Sequence, residues 1–256
     1  MRIWVLLRPI ILIFAAAPCL CWAQKANLTI DQIVARMQQA STAERTGTPG
    51  YTVTREYWLS AADAPQPASD VVAQVTFIPP SDKQYVIVKA EGNERGAGIV
   101  RKVLDHEAAM AGRWRLHDIS RDNYDFALLG HETIAGHDCY VLELSPKREA
   151  VELIRGKAWV NAQNFHLIRV AGETVKSPSM WLKKLTVTLN FGQVNGVWLE
   201  TSTRAVADVR FVGPHVLTSR EIDVETDALS ARARSPRLQQ RSSSHLASEA
   251  ADWVAH

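Results

Sequence analysis

Cysteine is scarce in this chain, and most of it lies at the start. Of three cysteines in 256 residues, Cys19 and Cys21 fall in the N-terminal apolar segment and only Cys139 lies beyond it. With that segment removed no intramolecular disulfide can form, so the fold must be held by a hydrophobic core. An uninterrupted membrane span is lacking as well. A helix needs about 20 apolar residues in a row to cross a bilayer, whereas Arg8 and Pro9 leave Ile10 to Ala17 as the longest clean stretch. The formal charge of +2 excludes a general polyanion binder, and no nucleic-acid partner is expected. Part of the small basic excess sits in the C-terminal stretch "ARARSPRLQQRSSSHLAS". Catalytic signatures are missing too: there is no Gly-x-Ser-x-Gly, and no glycine-rich loop opens a helix to cradle phosphate. The stretch "DHEAAMA" at 105–111 begins like a zinc-protease motif, but Met110 stands where the second histidine is needed. Two ligands one helical turn apart therefore cannot form. We expect no enzyme, no cofactor and no metal.

What is present divides into parts. "MRIWVLLRPIILIFAAAPCLCWAQK" combines a basic start at Arg2, an apolar middle and a small residue, Ala23, before Gln24. That pattern predicts a signal peptide over residues 1–23 and an exported protein. Pro18 before Cys19 and Leu20 before Cys21 do not suit a lipid-modified cysteine. A domain is expected over 24–227, followed by a flexible tail over 228–256 that is rich in Ala, Ser and Arg. Within the domain, Ile30, Ile33, Val34 and Met37 keep the spacing of one helical face, with Thr29 as N-cap and Gln32 as its capping-box partner.

From Tyr51 to about Asp227 the chain breaks into short alternating or apolar runs rich in Val, Thr, Ile, Tyr and Trp, with turn residues between them. This is the pattern of an all-β fold. Among the runs are "YTVTREYWL", "GIVRKVL", "CYVLELS", "KLTVTLNFGQV" and "VWLETSTRAV". Asn195-Gly196 is a strong hairpin signal because both residues tolerate positive φ, and "VNAQNF" closes a second hairpin. "EGNERGAG" reads as a loop joining two β runs. A short helix or turn is allowed near "LHDISRDNYDFALLG". About ten strands joined by short turns imply an antiparallel meander. Such a sheet with one apolar face must curl or be covered. The expected fold is mainly β: a curved, unclosed half-barrel with an N-terminal helix and a possible second short helix as lid. Leu185, Val187, Leu189 and Phe191 alternate with Lys184, Thr186, Thr188 and Asn190, so the first four are candidates for the inner face, with Leu142 and Leu144 on the neighbouring hairpin.

His131, His137, Asp138 and Cys139 lie close together in "GHETIAGHDCYVLELSPKRE". A zinc site would use His131, His137 and Cys139, but no close-spaced ligand pair of the usual kind is present. A hairpin turning at Ala135-Gly136, with Cys139 as a small buried residue, is the simpler reading. Trp58, Trp114, Trp159, Trp181 and Trp198 lie in or near β runs and suit either a core or the wall of a hydrophobic pocket.

The succession "TIDQIVARMQQA", "VTFIPPSDKQYVI", "NYDFALLGHETIAGHDCYVLELSPKRE", "GKAWVNAQNFHLIRVAGE" and "LTVTLNFGQVNGVWLETS" resembles the outer-membrane lipoprotein-sorting and carrier superfamily (LolA/LolB-like). The chain is similar to a divergent member over about residues 28–226. The resemblance implies a half-barrel with helices as a lid over a hydrophobic cavity, a periplasmic location, and a lipid or acylated lipoprotein as partner. Leu142, Leu144, Leu185, Val187, Leu189 and Phe191 would then line the cavity, and Arg55 is a candidate by position for an arginine that latches the lid. The alternative expectation is an envelope interaction or sensor module on the same fold, with a membrane protein as partner.

Overall fold

The computed structural model describes residues 28–177, 179–211 and 213–226. The expected signal peptide and tail lie outside the described residues. The first element is α1 (Ile30–Gly47), and its capping box forms as expected: the Thr29 hydroxyl accepts from the Gln32 N–H, while the Gln32 Oε1 accepts from the Thr29 N–H. Its buried stripe is Ile33, Val34 and Met37.

Three strands follow, β1 (Tyr51–Ala61), β2 (Ser69–Ile78) and β3 (Asp82–Gly92), then α2 (Glu94–Ala111) and a single 3-10 turn at Trp114–Leu116. Seven more strands complete the chain: β4 (Tyr124–Ile134), β5 (His137–Pro146), β6 (Ile154–Asn161), β7 (Leu167–Thr174), β8 (Leu182–Val194), β9 (Val197–Val209) and β10 (Gly213–Glu225). All ten join one open, curved antiparallel sheet in the order β3-β2-β1-β10-β9-β8-β7-β6-β5-β4. The expected meander therefore runs unbroken from β4 to β10, and β1 then pairs with β10. β3 and β4 follow one another in the chain yet form the two opposite edges, so the segment carrying α2 passes from one edge to the other.

That helix corrects the sequence reading. "EGNERGAG" was expected to be a loop and "GIVRKVL" a strand, but α2, which is 18 residues long and not short, takes in the first from Glu94 onward and the whole of the second. Asn93 starts it by accepting the Gly96 N–H at 2.7 Å on its side-chain oxygen, the standard way of satisfying a free first-turn donor. Its buried residues, Gly96, Val100 and Leu104, recur every four positions, one stripe of a helix. Gly96 lets the helix approach β2 closely, because a Cβ there would lie 1.9 Å from the Ser69 Oγ. The strand total is still ten, since residues 124–134 form β4 in place of the lost run. The short helix allowed nearby is only the 3-10 turn.

All three expected hairpins form, and two of them turn through left-handed pairs. Ala135 and Gly136 have φ of 50° and 80°, and Asn195 and Gly196 have 48° and 83°, the left-handed pair that matches the twist of the flanking strands. The two helices share one face of the sheet but cover separate cores. Ile33, Val34 and Met37 of α1 pack with Tyr124, Leu142, Leu144, Ala158, Val160 and Val170. Val100 and Leu104 of α2 pack with Val53, Tyr57, Val71, Ala73 and Val75, joined by Val197, Leu199 and Val224.

Candidate functional site

Strand register shows what lies between the two cores. One row across the helix-bearing face runs Leu144, Gly156, Gly172, Val187, Ala205 and Leu217. The next runs Leu142, Ala158, Val170, Leu189, Thr203 and Ser219. The facing glycines mark a close strand approach: a Cβ on Gly156 would sit 2.1 Å from the Ala171 carbonyl oxygen, and one on Gly172 2.3 Å from that of Arg155. Glycine at facing strand positions permits this contact, and the Ile154 side chain lies against Gly172.

The six candidate residues separate along these rows. Leu142 and Leu144 are fully buried, sealed in the core beneath α1; a ligand could reach them only if α1 moved. Leu189 and Phe191 are half-buried and pack against the rim of that core. Leu185 and Val187 are half-buried and belong to neither core. With Ala205, Ala207 and Leu217 they form an apolar strip on the central strands.

Beneath α2 lies a charged cluster that sequence patterning reached only through the position of Arg55. A register shift between Thr54 and Arg55 places the Arg55 side chain under the helix, only 7% exposed. Its guanidinium donates to both oxygens of Glu107, at 3.3 and 3.2 Å, and to the Glu200 carbonyl oxygen at 3.5 Å. Lys83 of β3 reaches the same Glu107 carboxylate at 2.7 Å. Burial opposes the charge on Glu107, but Arg55 and Lys83 outweigh it and hold the carboxyl at about 2. Burial pushes the Tyr57 hydroxyl up to about 12, with the Arg55 charge opposing. Glu107 lies in the "DHEAAMA" stretch, and its structural role is to tie α2 to β1 and β3.

A different groove, of about 410 Å³, opens beside the second half of α1. It is lined by Arg36, Gln39, Ala40, Ala43 and Glu44 of α1 and by Asn164, Phe165 and His166. The His166 ring pairs with Glu44 and stacks on Trp198 at 4.6 Å, and the Arg36 guanidinium lies 5.1 Å above Phe165. Burial raises the Glu44 carboxyl, against the pull of His166. None of the six candidate residues lines this groove.

The hairpin reading of residues 130–149 stands. Cys139 is fully buried, its thiol donates to the His137 carbonyl oxygen, and burial raises its pKa. His131 instead meets the Tyr140 ring in a tilted contact, with centroids 4.7 Å apart. Among the described residues no three His, Cys, Asp or Glu side chains converge to hold a metal ion. Cys139→Ser is expected to cost about 1 kcal/mol by burying a more polar group and to leave ligand binding unchanged. Urea denaturation and the binding assay proposed below check both parts. The five tryptophans do not fill the core. Trp58 and Trp114 lie under Arg220 and Arg45, Trp159 donates to Glu132, Trp198 carries His166, and Trp181 is exposed.

A family model described as "-like: Uncharacterized protein" matches residues 82–222, more than half of the chain. The chain belongs to that family. No curated protein matches this member in sequence. Among solved structures it is similar to a domain assigned to outer-membrane lipoprotein sorting from Vibrio parahaemolyticus, with 13% identity and a TM-score of 0.45 over 75% of this chain and 91% of that one. A DUF1329 family protein from Desulfovibrio piger gives 14% identity and a TM-score of 0.43 over 76% and 90%. A LolA superfamily protein from Nitrosomonas europaea gives 17% and 0.38 over 78% and 94%.

Proposed function

We propose that the protein binds a lipid, or the acyl chain of a lipoprotein, along the central apolar strip of its helix-bearing face, as a non-catalytic carrier in the periplasm. The observation that carries this reading is the division of the face into two separately covered cores, with Leu185 and Val187 left half-buried between them. An acyl chain laid there gains about 0.8 kcal/mol for each CH₂ it removes from water. The small side chains of Ala205 and Ala207 leave room for it. Movement of either helix would extend the strip toward Leu142 and Leu144 on one side or Tyr57 on the other.

The test is native mass spectrometry with lipid extraction on protein purified gently from an envelope-containing host. A stoichiometric acyl-bearing ligand is expected. Val187→Glu places a charge where the chain would lie, which is costly, and is expected to abolish retention while the circular dichroism melt persists. Full lipid retention by folded Val187→Glu, or a reproducible ligand-free mass when lipids are offered, would sink the reading.

A further inference from the structure

Three large apolar side chains are more exposed than any others among the described residues: Met180 at 80%, Trp181 at 60% and Phe211 at 93%. They come from two segments that the sheet brings together, the β7–β8 connection and the β9–β10 turn. Leu182 pairs with Val209, and the Arg210 N–H donates to the Trp181 carbonyl oxygen at 2.8 Å. None of the three belongs to either core. Phe211 also holds φ at 68°, next to a turn already served by Gly213 at 91°. A bulky side chain is disfavoured in that left-handed region, and packing within the fold does not offset the exposure of its ring. Turn chemistry and core packing both leave it unexplained.

The charges around it favour one kind of partner. Lys176 and Arg210 are exposed and have no carboxylate partner among the described residues. Lys183 lies 4.0 Å from Asp208, and Lys184 pairs with Glu173 at 2.7 Å. Asp63, on the neighbouring β1–β2 turn, is a further exposed acid. The two segments themselves therefore keep a positive excess around a protruding Met-Trp-Phe tip. Tryptophan favours the headgroup level of a bilayer, and lysine and arginine beside it are drawn to anionic lipids. The apolar groups stand at the tips of turns instead of lining a hollow, which suits insertion into a fluid surface. Among the described residues no helix is long and apolar enough to cross a membrane, so attachment through this tip would be peripheral and reversible.

We infer that Met180, Trp181 and Phe211, with Lys176 and Arg210, form a docking surface for an anionic lipid bilayer. The inference does not depend on a lipid occupying the central strip. It is tested by co-sedimentation of the purified protein with vesicles of phosphatidylcholine alone and of phosphatidylcholine with phosphatidylglycerol. Binding is expected to the anionic vesicles, with brominated acyl chains quenching part of the tryptophan emission. The triple variant Met180→Ser, Trp181→Ser, Phe211→Ser is expected to bind at least about tenfold more weakly, with an unchanged circular dichroism spectrum. Lys176→Glu with Arg210→Glu is expected to remove the preference for anionic lipid. Equal binding of wild-type protein to both vesicle types, binding to neither, or full binding by the folded triple variant would overturn the inference. Self-association of the wild type abolished in the triple variant would overturn it too, by assigning the surface to a second copy of the chain.

Discussion

Glu107→Ala is expected to lower stability by about 3–5 kcal/mol and to loosen α2 from the sheet. Glu107 is the carboxylate shared by Arg55 and Lys83. Its removal leaves two cations under a helix, with Arg55 almost wholly shielded from water, and a buried charge without its partner costs far more than the pair contributes. Glu107→Gln keeps the shape and loses the charge, so it is expected to fall nearly as far. The same carboxylate sets an acid limit. Its folded pKa of about 2 lies below the ordinary 4.5, so its contribution is complete above 4.5 and is lost as the pH falls through the folded value. The full difference corresponds to about 3 kcal/mol, of which about 2 kcal/mol is gone by pH 3. Urea denaturation at pH 7 and pH 3 checks both statements. Glu107→Gln should lose less stability than wild type between the two conditions, and an alanine variant as stable as wild type at pH 7 would show that apolar contacts alone hold α2.

Leu144→Ala is expected to cost about 2–5 kcal/mol, while Val187→Ala, three strands along the same row, should cost much less. Both residues are apolar and face the same side of the sheet. They differ in cover: Leu144 is fully buried with Ile33, Val34 and Met37 of α1, whereas Val187 is half-buried and outside both cores. Truncation at Leu144 leaves a cavity among groups that relax only partly, whereas the Val187 side chain is already partly exposed. The comparison is made by denaturant titration of ligand-free protein. Equal losses would mean that Leu144 is no more enclosed than Val187, and would return it to the wall of an open cavity.

The sequence disclosed most where local chemistry decides structure. Thr29 with Gln32, Ala135-Gly136 and Asn195-Gly196 each carry their own geometry, and each forms the expected cap or turn. The alternation through Leu185, Val187, Leu189 and Phe191 identified the apolar side of β8. The second helix escaped because Gly96 and Gly98 in its first turns read as loop, and "GIVRKVL" carries β-branched residues that suit a strand. The signals that were present, an Asn93 cap and a four-residue spacing of Gly96, Val100 and Leu104, gain weight only once β2 supplies the surface they cover. Tertiary placement likewise decided the fate of Leu142 and Leu144, since nothing local states that α1 closes over them. The Arg55–Glu107–Lys83 cluster joins residues from β1, α2 and β3, a meeting set by topology.

The β1–β10 seam has a consequence for how the chain reaches this structure. Every other strand pairing joins neighbours in sequence, whereas Thr52 must meet Glu225 across nearly the whole described length. Loop closure over that distance is entropically slow. Synthesis delivers the N-terminal strands first, so β1 can pair with β2 but must wait for the last strand to cover its other edge. The three-strand unit that forms early therefore carries an unprotected hydrogen-bonding edge until the rest of the meander arrives. Mutations that slow the meander would lengthen that interval and show themselves as aggregation, even where the finished fold is stable.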